Sequence, residues 1–172
     1  MNFSSQNISP AIAYKLLVST ILPRPIAFVT SLDLDGKINA APFSFFNAMG
    51  SAPPVVVLGF EPKPDGSQKD TPNNILATSE FVVNIVNEPL AQQMNMCAAS
   101  PASFECRLMQ DIELSGGGRI ILGEVVHFHL CDDVVSTLDP LRIDIDKLAP
   151  ISRLSGPLYG RVSDQFEIQR PK

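Results

Sequence analysis

The apolar positions of this chain fall in short runs, broken every few residues by glycine, proline or charge, a pattern of strands rather than long helices. Residues 25–31 carry Ile26, Phe28, Val29 and Thr30, the β-branched and aromatic types that suit a pleated surface. Asp33, Asp35 and Gly36 then supply turn chemistry, with Gly36 free to take positive φ. A second short strand over residues 37–41 is predicted to break at Pro42 into a loop containing Ser44, Phe45, Phe46 and Asn47. Residues 55–60 form a continuous apolar run after Pro53-Pro54, predicting a strand buried on both faces. Residues 81–86 (FVVNIV) read as another strand, with Asn84 its one polar position. Two long strand-like runs, residues 104–114 and 119–130, are joined by Ser115-Gly116-Gly117-Gly118 and predict a hairpin.

Helices are few and brief. Ser9-Pro10 reads as an N-cap followed by proline in the first turn, so residues 11–18 should form a helix with Ile12, Leu16 and Leu17 on the side that covers a barrel. Residues 61–68 hold two prolines, a glycine and charges, and form a loop. Thr71 as N-cap and Pro72 as first residue predict a second helix running to about Thr78. Pro89 opens a third from Leu90 to about Ala99, whose Met94 and Met96 fill core gaps. Residues 143–148 allow one helical turn. Many short strands with a few short flanking helices predict a predominantly β, α+β fold, a closed barrel, as a single domain over residues 1–172.

Composition changes this picture little but removes several functions. Of 172 residues, 45% are hydrophobic and 18% charged, which excludes a disordered chain. No apolar run approaches the roughly 20 residues of a membrane helix. The segment MNFSSQNISP lacks the basic and apolar parts of a secretory signal, so cytoplasm is the expected compartment and no membrane contact is expected. A net charge of −5 without a basic block argues against nucleic acid as a partner. The three cysteines, Cys97, Cys106 and Cys131, form no CxxC pair and are expected to be buried structural thiols.

Two stretches carry candidate chemistry. The exit of the first hairpin combines close-approach residues (Ala40, Ala41), hydrogen-bonding groups (Ser44, Asn47) and aromatic walls, and suits a planar polar ligand. Residues 69–75 place Lys69 and Thr71 at a helix start, where unpaired N–H groups favour a phosphate, although ordinary capping accounts for the same residues and Asp70 opposes an anion unless it points away. His127 and His129 share a strand face with Cys131 in phase, but nothing nominates further ligands, so no metal site is expected. The glycine triplet lies between strands with no helix after it, and no G-x-G-x-x-G fingerprint occurs, so any nicotinamide cofactor is held without a Rossmann unit.

The ordered run P-R-P-I-A-F-V-T-S, D-x-x-G and N-A-A-P-F-S-F-F-N over residues 23–47 resembles the flavin reductase-like family of FMN-binding split barrels. K-D-T followed by N-I (residues 69–75) resembles that family's flavin-phosphate segment, G-E-V-V-H-F-H (residues 123–129) a barrel strand, and Arg153, Gly156 and Tyr159 its closing motif, expected near the flavin or a dimer interface. The resemblance implies an FMN-binding split β-barrel, an obligate homodimer, and an oxidoreductase that accepts hydride from NAD(P)H and passes electrons to free flavin, a partner oxygenase or another acceptor. FAD fits less well. A carrier flavoprotein without its own nicotinamide site is the alternative. Thr30, Asn39 and Ser44 would bond the ring edge or ribityl chain, with Asn47 and backbone groups near Ala41 and Phe45 helping. Lys69, Thr71 and Asn74 would take the phosphate, and Arg24 would face a reduced, anionic flavin or pair with a carboxylate such as Asp33. No catalytic nucleophile or acid–base pair is implied. One departure stands out: relatives carry a longer excursion before the strand at Phe104, where residues 99–102 make the join here almost directly.

Overall fold

The computed structural model describes residues 2–92 and 100–168. Helix α1 (Pro10–Thr20) precedes β1 (Arg24–Pro25), β2 (Ala27–Leu32), β3 (Ile38–Phe43), β4 (Phe46–Ser51) and β5 (Pro54–Phe60). Helix α2 (Asp70–Thr78) leads into β6 (Glu80–Ile85), and α3 (Glu88–Gln92) precedes the long hairpin of β7 (Ala102–Glu113) and β8 (Arg119–Leu130). A small ribbon, β9 (Val135–Leu138) and β10 (Leu141–Ile143), is followed by α4 (Ile145–Leu148), β11 (Ile151–Arg153) and β12 (Tyr159–Arg161).

A tight turn sets the first pairing. Asp33 Oδ1 accepts the N–H groups of Asp35 (3.0 Å) and Lys37 (2.9 Å), and Gly36 takes φ +78°, the left-handed region open to glycine. The ladder that follows runs from Leu32↔Ile38 to Ala27↔Phe43. Seven strands then form one antiparallel sheet in the order β3-β2-β6-β7-β8-β5-β4. Its two edges, β3 and β4, are separated in sequence only by Ser44 and Phe45. Two residues cannot cross seven strands laid flat at about 4.8 Å spacing, so the sheet curls until its edges meet. They meet without a shared ladder. Gly59 of β5 donates its N–H to Phe45 O at 2.7 Å, and a Cβ at Gly59 would stand 3.0 Å from that of Phe45. The result is a split β-barrel, mostly β with four short helices among the described residues.

Side chains alternate across the curled sheet. Ala27, Val29, Leu58, Val83 and Ile121 are fully buried inside, and α2 sends Ile75 into the same core. Phe43 and Phe60 meet there edge to face, 4.7 Å between centroids. A second cluster of Ile26, Val86, Leu90 and Ile151 joins the barrel to the three-stranded sheet β1-β11-β12. The exposed Arg161–Glu88 pair links β12 to α3, and the guanidinium holds the Glu88 carboxyl below its usual range.

Several sequence expectations shift. β3 continues through Pro42 to Phe43 rather than breaking, because an edge strand tolerates a missing N–H. β5 buries only Val56, Leu58 and Phe60, while Val55 and Val57 face outward and stay half-buried. α2 starts at Asp70 with Lys69 as its N-cap residue, so Thr71 sits inside the first turn rather than capping it. α1 has no buried residue, and Ile12 and Leu17 are about half exposed instead of covering the barrel. Cys106 is buried, and burial pushes its thiol up to about 12, whereas Cys131 is exposed against expectation. Cys97, Met94, Met96 and the second half of the third predicted helix lie outside the described residues. No helix among the described residues is long and apolar enough to cross a membrane.

The tightest glycine gives a test of barrel packing. A Cβ at Gly123 would lie 2.4 Å from Phe81 Cζ, whereas one at Gly116 would meet nothing within 4 Å. Gly123→Ala should lower the unfolding free energy by about 1–3 kcal/mol through overpacking, read as a lower denaturant midpoint at unchanged slope. Gly116→Ala should stay within about 0.5 kcal/mol of the parent. Equal midpoints for both variants would contradict the packing described here.

Candidate functional site

Three features converge around β3. At one end, α2 packs on β2 and β3 and buries Thr71 and Asn74. Asn39 Nδ2 donates to Thr71 Oγ1 at 2.8 Å, and Asn74 Nδ2 donates to the buried Ser31 Oγ at 3.2 Å. Ser9 caps α1 and Asp144 caps α4, but no side chain caps α2. Its first-turn N–H groups and the positive end of its dipole therefore remain available to an anion. Asp70 turns toward Lys63 (3.2 Å), which removes the objection that its charge raises. Lys69 Nζ stands 5.5 Å over the Phe43 ring, and no carboxylate among the described residues pairs with it.

Along its length, β3 offers backbone. Asp33 N–H donates to Lys37 O at 3.1 Å, and antiparallel bonding alternates from that pair. Asn39, Ala41 and Phe43 therefore bond toward β2, while Ala40 turns its N–H and C=O to the open edge. Pro42, which has no N–H, falls on that open side. The backbone group expected at Ala41 is thus engaged with Val29, its partner in the register, and Ala40 supplies the free one. Counting the alternation back from the Asp33 turn would have found it in the sequence.

At the other end of β3, Ser44 opens into a cleft of about 630 Å³ between α1, β1 and the β11–β12 turn. Arg24 is 7% exposed. Its Nη1 donates to Val18 O (2.6 Å) and Ile21 O (2.8 Å), and its Nη2 donates to Leu154 O (3.0 Å). It therefore ties the end of α1 to the β11–β12 turn, an attachment reinforced by a 2.9 Å contact between the Ser19 and Ser155 hydroxyls. The expected alternative pairing with Asp33 is not made, since that carboxylate is held in its own turn. Arg153 lies over the Tyr159 ring, 4.6 Å to the centroid, bonding the Tyr159 hydroxyl and donating to Gly156 O at 2.7 Å.

The structure therefore brings together Asn39, Lys69, Thr71 and Asn74 at one end, and Arg24 and Ser44 at the other. It separates two others. Thr30 lies on the opposite sheet face from Asn39, near Asn84 Nδ2 at 3.5 Å. Asn47 is exposed on β4, where its Oδ1 accepts from Ala48 N–H at 2.8 Å. Phe45 gives its carbonyl to Gly59 and sets its ring 6.2 Å from that of Tyr14. His127 and His129 are exposed on β8, their ring centroids 4.5 Å apart, with His129 Nε2 2.6 Å from Glu105 Oε1. Among the described residues no group of three His, Cys, Asp or Glu is arranged to hold a metal ion.

Comparison with known proteins agrees with this fold. The flavin reductase like domain family matches residues 18–102, which contain β1 to β6 and α2. The uncharacterized protein YwrF of Bacillus subtilis is 34% identical, with 98% of each chain covered. That match runs over 203 positions against the 172 residues here, so the relative carries residues without counterpart in this chain. Among solved structures, nitrilotriacetate monooxygenase component B from Bacillus cereus superposes with TM-score 0.89 at 29% identity, covering 98% of both chains. The 2-nitrobenzoate 2-nitroreductase NbaA of Pseudomonas fluorescens gives TM-score 0.88 at 30% identity, covering 99% of this chain and 96% of that one.

Proposed function

This chain belongs to the flavin reductase like family, and we propose that it binds FMN as a homodimer, accepts hydride from NADH or NADPH and passes electrons to an acceptor or to free flavin. One observation carries the reading: the uncapped start of α2, with the unpaired Lys69, lies beside an edge strand whose Ala40 backbone is open. A phosphate suits the first and a polar ring edge the second. A bound flavin would supply the redox chemistry, and the protein supplies binding, orientation and electrostatics. Lys69, the Thr71 hydroxyl and the first-turn N–H groups hold the phosphate, with Asn39 and Asn74 bracing that end. Ala40 and Ser44 hold the ring side, and the Arg24 charge favours an electron-rich ligand. No nucleophile or acid–base pair is needed for such chemistry. The acceptor side draws on the two solved proteins, one a monooxygenase component and one a nitroreductase, which makes a partner oxygenase or a small oxidised aromatic the reasonable acceptors. The dimer is supported by apolar surface without cover in a single chain, above all Ile12, Tyr14 and Leu17 on α1 and Phe128 on β8.

Purified protein should elute as a yellow species of two chains and bleach within seconds when NADH or NADPH is added without oxygen. Colour that neither nucleotide bleaches would make the protein a carrier, and a colourless protein that takes up no FMN would end the proposal.

Lys69→Ala should weaken FMN binding by about 1.5–3 kcal/mol, the value of one charge-assisted hydrogen bond. Riboflavin, which lacks the phosphate, should bind the variant and parent alike. Equal losses for both ligands would place Lys69 away from the phosphate.

A further inference from the structure

The loop that delivers the chain to α2 makes almost all of its hydrogen bonds to itself. Lys63 N–H donates to Ser67 O at 2.8 Å, and Gly66 N–H donates to Lys63 O at 2.9 Å. Asp65 Oδ1 accepts from both the amide (2.9 Å) and the hydroxyl (2.6 Å) of Ser67. Lys63 reaches forward to Asp70, an exposed ion pair that adds little rigidity. Among the described residues, a single hydrogen bond carries residues 61–68 onto the β7–β8 hairpin: Gln68 Nε2 donates to Gly117 O at 2.7 Å. That acceptor is a fixed point. Gly117 takes φ +80° in the hairpin turn, its own N–H donates to Leu114 O (2.9 Å), and Leu114 N–H donates to Gly118 O (2.8 Å). A Cβ on Gly117 would stand 3.8 Å from Pro62 Cγ, so turn and loop lie against each other.

Stability alone does not account for this glutamine. Its Oε1 is buried without a hydrogen-bond partner. The bond made by Nε2 gives a modest net gain, and an orphaned buried acceptor costs at least as much, so the amide contributes little to holding the fold. What it does hold is the chain one residue before Lys69, the N-cap position of α2. The helix itself is anchored from Thr71 onward, by buried Thr71, Asn74 and Ile75. Lys69 precedes that anchor, and its ammonium stands over the Phe43 ring with no carboxylate among the described residues to fix it. A charge on a flexible four-carbon stem reaches one place reliably only when the backbone beneath it is held. We propose that Gln68 is a positioning residue for the phosphate end of the site: its clamp on the β7–β8 turn sets Lys69 in place before the anion arrives, and so lowers the cost of ordering that side chain on binding. The inference rests on the flavin reading and adds to it a residue that acts through Lys69.

The test titrates FMN and riboflavin into the full chain, following flavin fluorescence, with a denaturant midpoint measured for each variant. Gln68→Met keeps the length of the side chain and removes both the donor and the orphaned acceptor. It should weaken FMN by about five- to tenfold, part of the loss expected for Lys69→Ala. Riboflavin should stay within about twofold of the parent, and the midpoint should be unchanged or higher. In a Lys69→Ala background the same substitution should alter FMN affinity by less than about twofold, because the group it positions is gone. An unchanged ratio of FMN to riboflavin affinity, equal weakening of both ligands, a fall in the midpoint, or a full effect of Gln68→Met in the absence of Lys69 would each overturn the proposal. A parent protein that binds FMN no more tightly than riboflavin would overturn the flavin-phosphate reading and this inference with it. A parent that prefers FMN beside a Gln68→Met variant with the same preference would overturn the role of Gln68 alone.

Discussion

The link of Ser44 and Phe45 between the two edges of a seven-stranded sheet is the constraint on which the rest of this structure depends. So short a connection forces the sheet to close, and closure creates the single interior that Leu58, Ile75 and Ile121 fill. It also leaves the closure incomplete. β3 and β4 approach without pairing, held by the Phe45–Gly59 contact, where the absence of a side chain at Gly59 lets the two segments come together. A fully laddered barrel would have no open backbone. This one keeps a free strand edge at β3.

That free edge explains where polar chemistry collects. Unpaired backbone groups on an exposed edge invite another chain, and proteins blunt such edges with proline, bulges or cover. Here Pro42 removes one donor, α2 covers the start of the strand and α1 stands over its far end. The two coverings differ in kind. α2 is anchored by buried Thr71, Asn74 and Ile75, whereas α1 has no buried residue and is held largely through the Arg24 guanidinium. One end of β3 is thus a rigid polar pocket beneath an uncapped helix, and the other a wide cleft whose wall rests on a buried, unneutralised charge. A flavin read along β3 would draw on both.

Local chemistry made much of this legible in advance. The Asp33–Gly36 turn, the Ser115–Gly118 hairpin and the alternation of β-branched residues locate nearly every barrel strand, because each depends on near neighbours. The grouping of Asn39, Lys69, Thr71 and Asn74 rests instead on the family resemblance, since ordinary capping accounts for such residue types at a helix start. What the sequence hides is set by tertiary placement. The engagement of Arg24 depends on where α1 ends, and the exposure of Ile12 and Leu17 on what α1 fails to pack against. Cys131 follows the same rule, since it stands just beyond the end of β8, at the surface.

The central claim is that one ligand spans the open backbone of β3 and the uncapped start of α2, and residue-resolved amide hydrogen exchange addresses it directly. FMN should slow exchange at both the Ala40 and Thr71 amides, while riboflavin should slow Ala40 and leave Thr71 unchanged. Protection of neither amide by FMN, or of Thr71 by riboflavin to the same degree, would contradict the account.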